Sequence, residues 1–368
     1  SPQHGFHGRA RELLNLERAF ADHRIVVLHG YGGQGKTALA THAAQWFTRT
    51  GLFERAAFLS FEGGAGLEWA IHTLGEALVS ADFRSHSDMN KKIAMLAESL
   101  ATRPTLIVWD NFESIMPKDD VPLPADELKI LLDAGAKWLG LNDGEERGGG
   151  DTVRSRLLIT TRDVSFESQT YQPSKRCKHI QLGGLEEAAA MELAAEILTA
   201  RDVPRPPRES LARLLNFLGG HPLSIQLVLP ALRSTPDVEE MIANFEMLLP
   251  GFTQGAGVER NESLNVSLRF SLRRLGAGAQ EALPRLAIFQ GGALEVNLLS
   301  ITEIDKDVWA TIKPELANAS LIRIEEIGGV TVPYIHFHPT LVPYLRQSNQ
   351  QTAVSDQPSA ISQSPLAI

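Results

Sequence analysis

The sequence predicts a parallel α/β sheet with helices on both faces, followed by an all-helical segment and then by helices that end in a β-hairpin. Three observations carry this. Short apolar, β-branched runs alternate with helical stretches from Arg24 to Leu182, the pattern of strands joined by crossover helices. From Leu185 the strands stop, and apolar residues recur at helical spacing. Near the C-terminus Gly328-Gly329 separates two apolar runs, a two-residue hairpin signal. At 368 residues the chain is long enough for two or three domains with cores of their own. Its 35 basic and 44 acidic residues leave a net charge of −9, which argues against a protein that coats nucleic acid or an anionic membrane. Cys177 is the one cysteine, so neither an intrachain disulfide nor a four-cysteine zinc site can form. No apolar run approaches the ~20 residues of a membrane helix. The opening residues lack the apolar region of a signal peptide, and a cytoplasmic protein is expected.

Strands are expected at Arg24–His29, Ala56–Phe61, Leu106–Trp109, Leu157–Thr161 and His179–Leu182. Helices are expected at Lys36–Thr50, Leu67–Val79, Asp88–Arg103 and Pro124–Leu139. The third of these places Met89, Ile93, Leu96, Ala97 and Leu100 on one face. The Gly-rich acidic stretch Leu141–Asp151 reads as a surface loop. Beyond it, Glu186–Thr199 is a helix and Val203–Arg208 a proline-stiffened connector. Leu211, Leu214, Leu215 and Leu218 then stripe a helix, and Pro222–Arg233, apolar nearly all round, predicts a buried one. After a Pro/Gly cluster at Pro250–Gly257, further helices are expected over Leu264–Leu275 and Glu281–Phe289. Strands follow at Leu321–Ile327 and Val330–Phe337, and then a helix over Pro339–Arg346 with proline in its first turn. Helices with one hairpin match a winged-helix module. Ser348–Ile368, rich in Ser, Gln, Ala and Pro with Asp356 its one charge, has the composition of a disordered tail.

One short motif supplies the chemistry. Gly30-Tyr31-Gly32-Gly33-Gln34-Gly35-Lys36-Thr37 matches G-x-x-x-x-G-K-[ST] in full and lies between a predicted strand and a predicted helix, the context of a P-loop. The glycines let backbone N–H groups turn inward onto phosphate oxygens, and the helix beginning at Lys36 adds its N-terminal dipole. Gly30, Gly32, Gly33, Gln34, Gly35, Lys36, Thr37 and Ala38 are therefore the candidate phosphate-binding run. Lys36 is expected on the β- and γ-phosphates and the Thr37 hydroxyl on Mg²⁺. A second metal-holding carboxylate is needed at a neighbouring strand end, and Asp110 supplies it. The strand at Ala56–Phe61, which intervenes in the sequence, is read as the extra strand separating those two elements. Glu113 either orients the attacking water or caps the segment that follows. Arg162, closing Leu158-Ile159-Thr160-Thr161-Arg162, is placed to sense a γ-phosphate, which a guanidinium grips with two parallel hydrogen bonds. Cys177 is a poor candidate nucleophile, and His336 and His338 lack the further ligands of a metal site.

In this order, the segment Phe6-His7-Gly8-Arg9-Ala10-Arg11-Glu12-Leu13, the Gly30–Thr37 run, Ile107–Glu113, Leu158–Arg162, Gly219-Gly220-His221-Pro222-Leu223 and Phe337-His338-Pro339 resemble the STAND family of signal-transduction ATPases, in its NB-ARC-like branch. The resemblance spans Phe6–Arg346 and is strongest to bacterial chains that carry tetratricopeptide repeats or a CHAT protease domain, neither of which lies in these residues. It implies an α/β P-loop NTPase domain over residues 1–183, a helical domain over 184–255 and a winged-helix domain over 256–347, with a low-complexity tail over 348–368. It also implies ATP or ADP with Mg²⁺ as ligands. Phe6 and Arg9 would line the adenine side, Pro222 would pack on the base, and His338 would reach the β-phosphate. Two positions depart from the family pattern. The aspartate that elsewhere follows the histidine is absent here, where the sequence reads Phe337-His338-Pro339-Thr340, and Trp109-Asp110 stands in place of paired aspartates.

The expected function is an ADP/ATP-dependent regulatory switch in signalling, bacterial immunity included. ADP holds a closed form, ATP exchange opens it for self-association and effector activation, and slow hydrolysis resets it. Sensor and effector domains are expected outside this segment. The alternative is a winged-helix transcription regulator under ATPase control. Residues 256–346 hold nine Lys/Arg against ten Asp/Glu, a balance that speaks against a DNA-reading module. A P-loop kinase acting on a small molecule is a third reading, for which no acceptor-site motif is present.

Overall fold

A computed structural model of the chain describes residues 5–62, 66–117, 123–141, 154–248, 260–289, 291–326, 332–337, 341–342 and 345. It divides into two compact units. The first runs to Glu196 and takes back Leu215–Leu223, and the second holds Ile197–Leu214 and the chain from Ser224.

The first unit begins with α1 (Ala10–Asp22), β1 (Ile25–His29), α2 (Lys36–Arg49), β2 (Arg55–Ser60) and α3 (Leu67–Leu78). It continues through α4 (Met89–Thr102), β3 (Thr105–Asp110), α5 (Ala125–Trp138), β4 (Arg156–Thr161), β5 (Cys177–Gln181) and most of α6 (Glu187–Ala200). Its five strands are all parallel, in the order β2-β3-β4-β1-β5. Successive residues of a strand face opposite sides of a sheet, and here both sides are dry. Ile25, Val27, Ile107 and Trp109 join the core beneath α3, α4 and α5, and Val26, Leu28, Leu106 and Val108 join the core beneath α1 and α2. Continuous apolar runs are what a sheet buried on both faces requires. Capping follows local chemistry at α4, where the Asp88 carboxylate accepts the N–H groups of Asn90 and Lys91.

The sheet order corrects one expectation. β2 (Arg55–Ser60) lies at the edge and pairs with β3 alone, whereas β4 lies between β1 and β3. The strand that separates the P-loop strand from the Asp110 strand is therefore the one ending in Thr160 and Thr161. Sequence order alone cannot place it, because either strand can return to the sheet by a crossover helix.

The second unit begins in the last turn of α6 and includes the start of α7 (Arg208–Phe217) and the body of α8 (Pro222–Val228). The helix expected to reach Arg233 ends at Val228 and continues as a 3₁₀ turn over Leu229–Arg233, since Pro230 has no N–H to give an α-turn. Then come α9 (Val238–Leu248), α10 (Arg260–Arg273), α11 (Ala277–Leu286), β6 (Gly292–Leu294), α12 (Glu295–Thr302), α13 (Lys306–Asn318), β7 (Ile322–Glu325) and β8 (Tyr334–Phe337). β7 and β8 pair antiparallel, and β6 adds a third strand on the far side of β8. Gly328-Gly329 and residues 348–368 lie outside the described residues. The Glu295 carboxylate ties α12 to α13, accepting from Trp309 Nε1 (2.6 Å) and Lys313 Nζ (2.7 Å). Burial pushes this carboxyl upward, but the two donors outweigh it and leave it below the usual glutamate range. Arg201 donates to the Ala317 carbonyl (2.9 Å) and the Ser320 hydroxyl (3.1 Å), closing the end of α13.

Candidate functional site

The site lies where β1, β3 and β4 end at the same edge of the sheet. After His29 the chain turns through Gly30–Gly35 into α2. Gly33 (φ 77°) and Gly35 (φ 89°) occupy left-handed backbone, which only glycine enters freely. A Cβ on Gly33 would strike Leu223, whereas one on Gly35 would meet nothing within 4 Å. Gly35 therefore borders open space at the helix N-terminus. No side chain caps α2, and its first turn holds no acidic residue, so its leading N–H groups and dipole remain available to an anion. The Lys36 ammonium is buried and donates to the carbonyls of Gly30 (2.8 Å) and Tyr31 (3.0 Å). Its pKa is lowered to about 8, first by burial and further by Arg162, against the opposing pull of Glu113 and Asp110.

Asp110 ends β3 with its carboxylate buried. Thr37 donates to both of its oxygens (2.9 and 3.0 Å). A second hydroxyl, that of Thr160 on β4, donates to Oδ1 at 2.5 Å and accepts the Asn111 N–H at 3.1 Å. Burial raises the Asp110 carboxyl above its ordinary range, while the Thr160 and Thr37 hydroxyls work the other way. Sequence reasoning missed Thr160, because a threonine in an apolar β-strand reads as an ordinary strand former. The register of β4 beside β3 gives it this position. Thr160→Val keeps the shape and removes the donor. It is expected to leave the fold intact and to raise the Mg²⁺ concentration needed for nucleotide binding by about tenfold, with Thr160→Ser restoring it. Nucleotide titrations over a Mg²⁺ series measure this.

Arg162, beyond the end of β4, turns its guanidinium back over the loop. Its Nε lies 3.1 Å from Glu113 Oε1, and a Cβ on Gly32 would come 3.2 Å from its Cζ. Glu113 is mostly buried, and its other oxygen has no partner among the described residues. The two residues selected from the sequence as γ-phosphate sensor and water-orienting base are thus brought together beside the loop.

The remaining candidates are placed less simply. Arg9, itself in left-handed backbone (φ 65°), is buried. It donates to the Gln34, Gly183 and Gly184 carbonyls at 3.1, 2.8 and 3.2 Å, and to Glu12 at 2.6 Å. Phe6 stacks on His42 of α2 (centroids 4.2 Å apart). Ala38 lies half-buried in the first turn of α2, and Pro222 opens α8, also half-buried. His338 falls outside the described residues. Cys177 is buried, and burial pushes its thiol up to about 12, which leaves no thiolate for nucleophilic chemistry.

Residues 10–132 match the family model described as NB-ARC domain. The matched stretch, a third of the chain, is similar to an NB-ARC domain. It contains the P-loop, Asp110 and Glu113, whereas Arg162 follows it in the sequence. Among solved structures, a STAND protein with a tetratricopeptide repeat sensor from Pyrococcus horikoshii matches at 18% identity with a TM-score of 0.55, over 93% of this chain and 42% of that one. The chain therefore spans about two fifths of the length of that relative. The Aeropyrum pernix ORC2 protein, in ADPNP-ADP complexes, matches at 12% identity (TM-score 0.44, 95% of this chain and 96% of that one). A Walker-type ATPase of Pyrococcus abyssi also matches at 12% (TM-score 0.46, 94% and 97%). No curated protein matches the chain.

The groups present at this site suit a nucleoside polyphosphate with Mg²⁺. The uncapped helix start, the open space at Gly35 and the buried Lys36 ammonium offer donors and positive charge to phosphate. Thr37 and Asp110 offer the oxygen ligands a hard divalent cation takes, and the metal would neutralise charge on the phosphates. Among the described residues no helix is long and apolar enough to cross a membrane.

Proposed function

We propose that this chain is the regulatory core of a signalling STAND ATPase, an ADP/ATP-dependent switch that hydrolyses ATP slowly. The observation that carries this reading is the Arg162–Glu113 ion pair beside Gly32. Arg162 is half exposed, and its present partner is Glu113, the carboxylate read from the sequence as able to orient a water. A γ-phosphate offers this planar guanidinium a second anion, two of whose oxygens it can grip with parallel hydrogen bonds. ATP would then draw Arg162 onto the phosphate and release Glu113 for the hydrolytic water, whereas ADP leaves the pair closed. A ligand shifts an equilibrium only by binding its two states differently, and this pair supplies the difference. In the same reading the ADP form is closed and inactive. The ATP form opens for self-association and for activation of an effector, with sensor and effector domains outside this segment, and hydrolysis resets the switch.

Binding of ATP and ADP, together with single-turnover hydrolysis, tests it. Arg162→Ala is expected to weaken ATP by about tenfold while ADP changes little. Glu113→Gln is expected to keep ATP binding and lose about 100-fold in hydrolysis. Equal losses for ATP and ADP in Arg162→Ala, or undiminished turnover in Glu113→Gln, would remove the basis of the reading.

A further inference from the structure

The P-loop contains a Gly32-Gly33 pair, and a peptide flanked by two glycines is the one freest to turn over. Its orientation matters. In a planar trans peptide the carbonyl and the following N–H point opposite ways, so turning the Gly32–Gly33 unit presents an acceptor where the phosphate cradle needs a donor. Something outside the loop holds it. His221 is 1% exposed, and its Nε2 lies 2.9 Å from the Gly32 carbonyl. A carbonyl oxygen only accepts, so Nε2 carries the proton and donates. Two residues on, Leu223 blocks the space beside Gly33: a Cβ there would come 2.4 Å from Leu223 Cδ2 and 3.0 Å from His221 Cε1.

His221 is itself held. It follows Gly219 and Gly220, both in left-handed backbone (φ 64° and 61°). The Gly220 carbonyl accepts the Leu185 N–H at 2.7 Å. Gly184, next in line, packs so tightly that a Cβ on it would come 2.0 Å from the Gly219 carbonyl oxygen. Arg9 grips the Gly183 and Gly184 carbonyls and, with the same guanidinium, that of Gln34. A chain of hydrogen bonds and backbone contacts thus leaves the P-loop at Gln34 and returns to it at Gly32, with His221 as its last member.

We propose that His221 is a positioning residue: its imidazole N–H fixes the Gly32–Gly33 peptide so that the Gly33 N–H serves the phosphates of the bound ligand. This rests on the phosphate-binding reading of the loop and adds to it a group remote in sequence. The full chain is titrated with ADP, adenosine and inorganic pyrophosphate, with thermal melts to confirm folding. Relative to wild type, His221→Ala is expected to weaken ADP and pyrophosphate by about tenfold while adenosine binding is unchanged. His221→Gln, which extends an N–H donor to a similar reach, is expected to recover most of the loss. If His221→Ala does not fold, His221→Asn, polar but too short to reach Gly32, carries the same comparison. Unchanged ADP and pyrophosphate affinity in a folded variant overturns the proposal, as does an equal loss for adenosine, which would mark a general loosening of the unit. Wild-type protein that binds pyrophosphate in a His221-dependent way but gains nothing from the adenosine moiety would uphold the positioning role and overturn the adenine-nucleotide switch.

Discussion

Replacing Lys36 by alanine is expected to lower ATP and ADP affinity by roughly 100-fold, the combined effect of about two charge-assisted hydrogen bonds to phosphate. Lys36 is 6% exposed, whereas the Arg162 side chain is 51% exposed and already engaged by Glu113, and the buried Arg9 is engaged by backbone carbonyls and Glu12. The ammonium now rests on the Gly30 and Tyr31 carbonyls, both within the loop itself. Burial has also set its titration. With its pKa near 8 in the free protein, Lys36 begins to lose its proton just above neutral pH. Bound phosphates favour the charged form and raise that pKa. Affinity must then fall as pH rises from about 8, by up to tenfold per pH unit, until the bound-state pKa is passed. Isothermal titration with ADP between pH 7 and 9.5 measures this slope. Lys36→Met, which keeps the apolar stem, is expected to bind weakly and without that slope. A wild-type affinity that stays flat through pH 9.5 would show that the ammonium does not meet the phosphates.

The second large effect is on stability. Trp109, at 0% exposure, is the hub of an aromatic cluster beneath Asp110. It stacks on Phe112 (5.4 Å, 7°) and Tyr171 (6.5 Å, 18°) and meets Phe61 and Trp138 edge-on at 6.3 and 6.4 Å. Trp109→Ala empties that centre and is expected to destabilise the protein by about 3–5 kcal/mol, read as a lowered urea midpoint of the nucleotide-free protein. The indole N–H has no partner among the described residues, so Trp109→Phe both loses volume and removes an orphaned donor. Its loss is expected to be less than half as large. If alanine and phenylalanine proved equally mild, the cluster would not be what supports the Asp110 strand end.

The same residue shows what can be read from sequence and what cannot. Trp109-Asp110 is a visible departure from paired aspartates, yet nothing local says that the tryptophan closes a core with Tyr171 and Trp138. The strands and helices of the first unit were legible because burial on both sheet faces writes continuous apolar runs, and amphipathic helices write a 3.6-residue period. Lys36, Thr37, Asp110 and Arg162 were legible because strand ends at one sheet edge converge whatever the strand order. The strand order itself was not, and with it went Thr160, whose partner is 50 residues away. His221 was hidden for a similar reason: beside Pro222 it reads as the start of a helix, and its bond to Gly32 spans 189 residues. In the second unit, β6 has three residues and α12 buries only Leu298 and Thr302, too little pattern to stand out from a loop.

The return of Leu215–Leu223 to the first unit bears on how the protein is made. A ribosome releases the whole parallel sheet, from β1 to β5, well before the segment that carries His221 and Leu223. Until that later stretch emerges, the nascent P-loop lacks the imidazole on Gly32 and the leucine beside Gly33. An amino-terminal fragment stopping at β5 would therefore carry the whole Gly30–Thr37 sequence without the two side chains that pack on its Gly32-Gly33 turn.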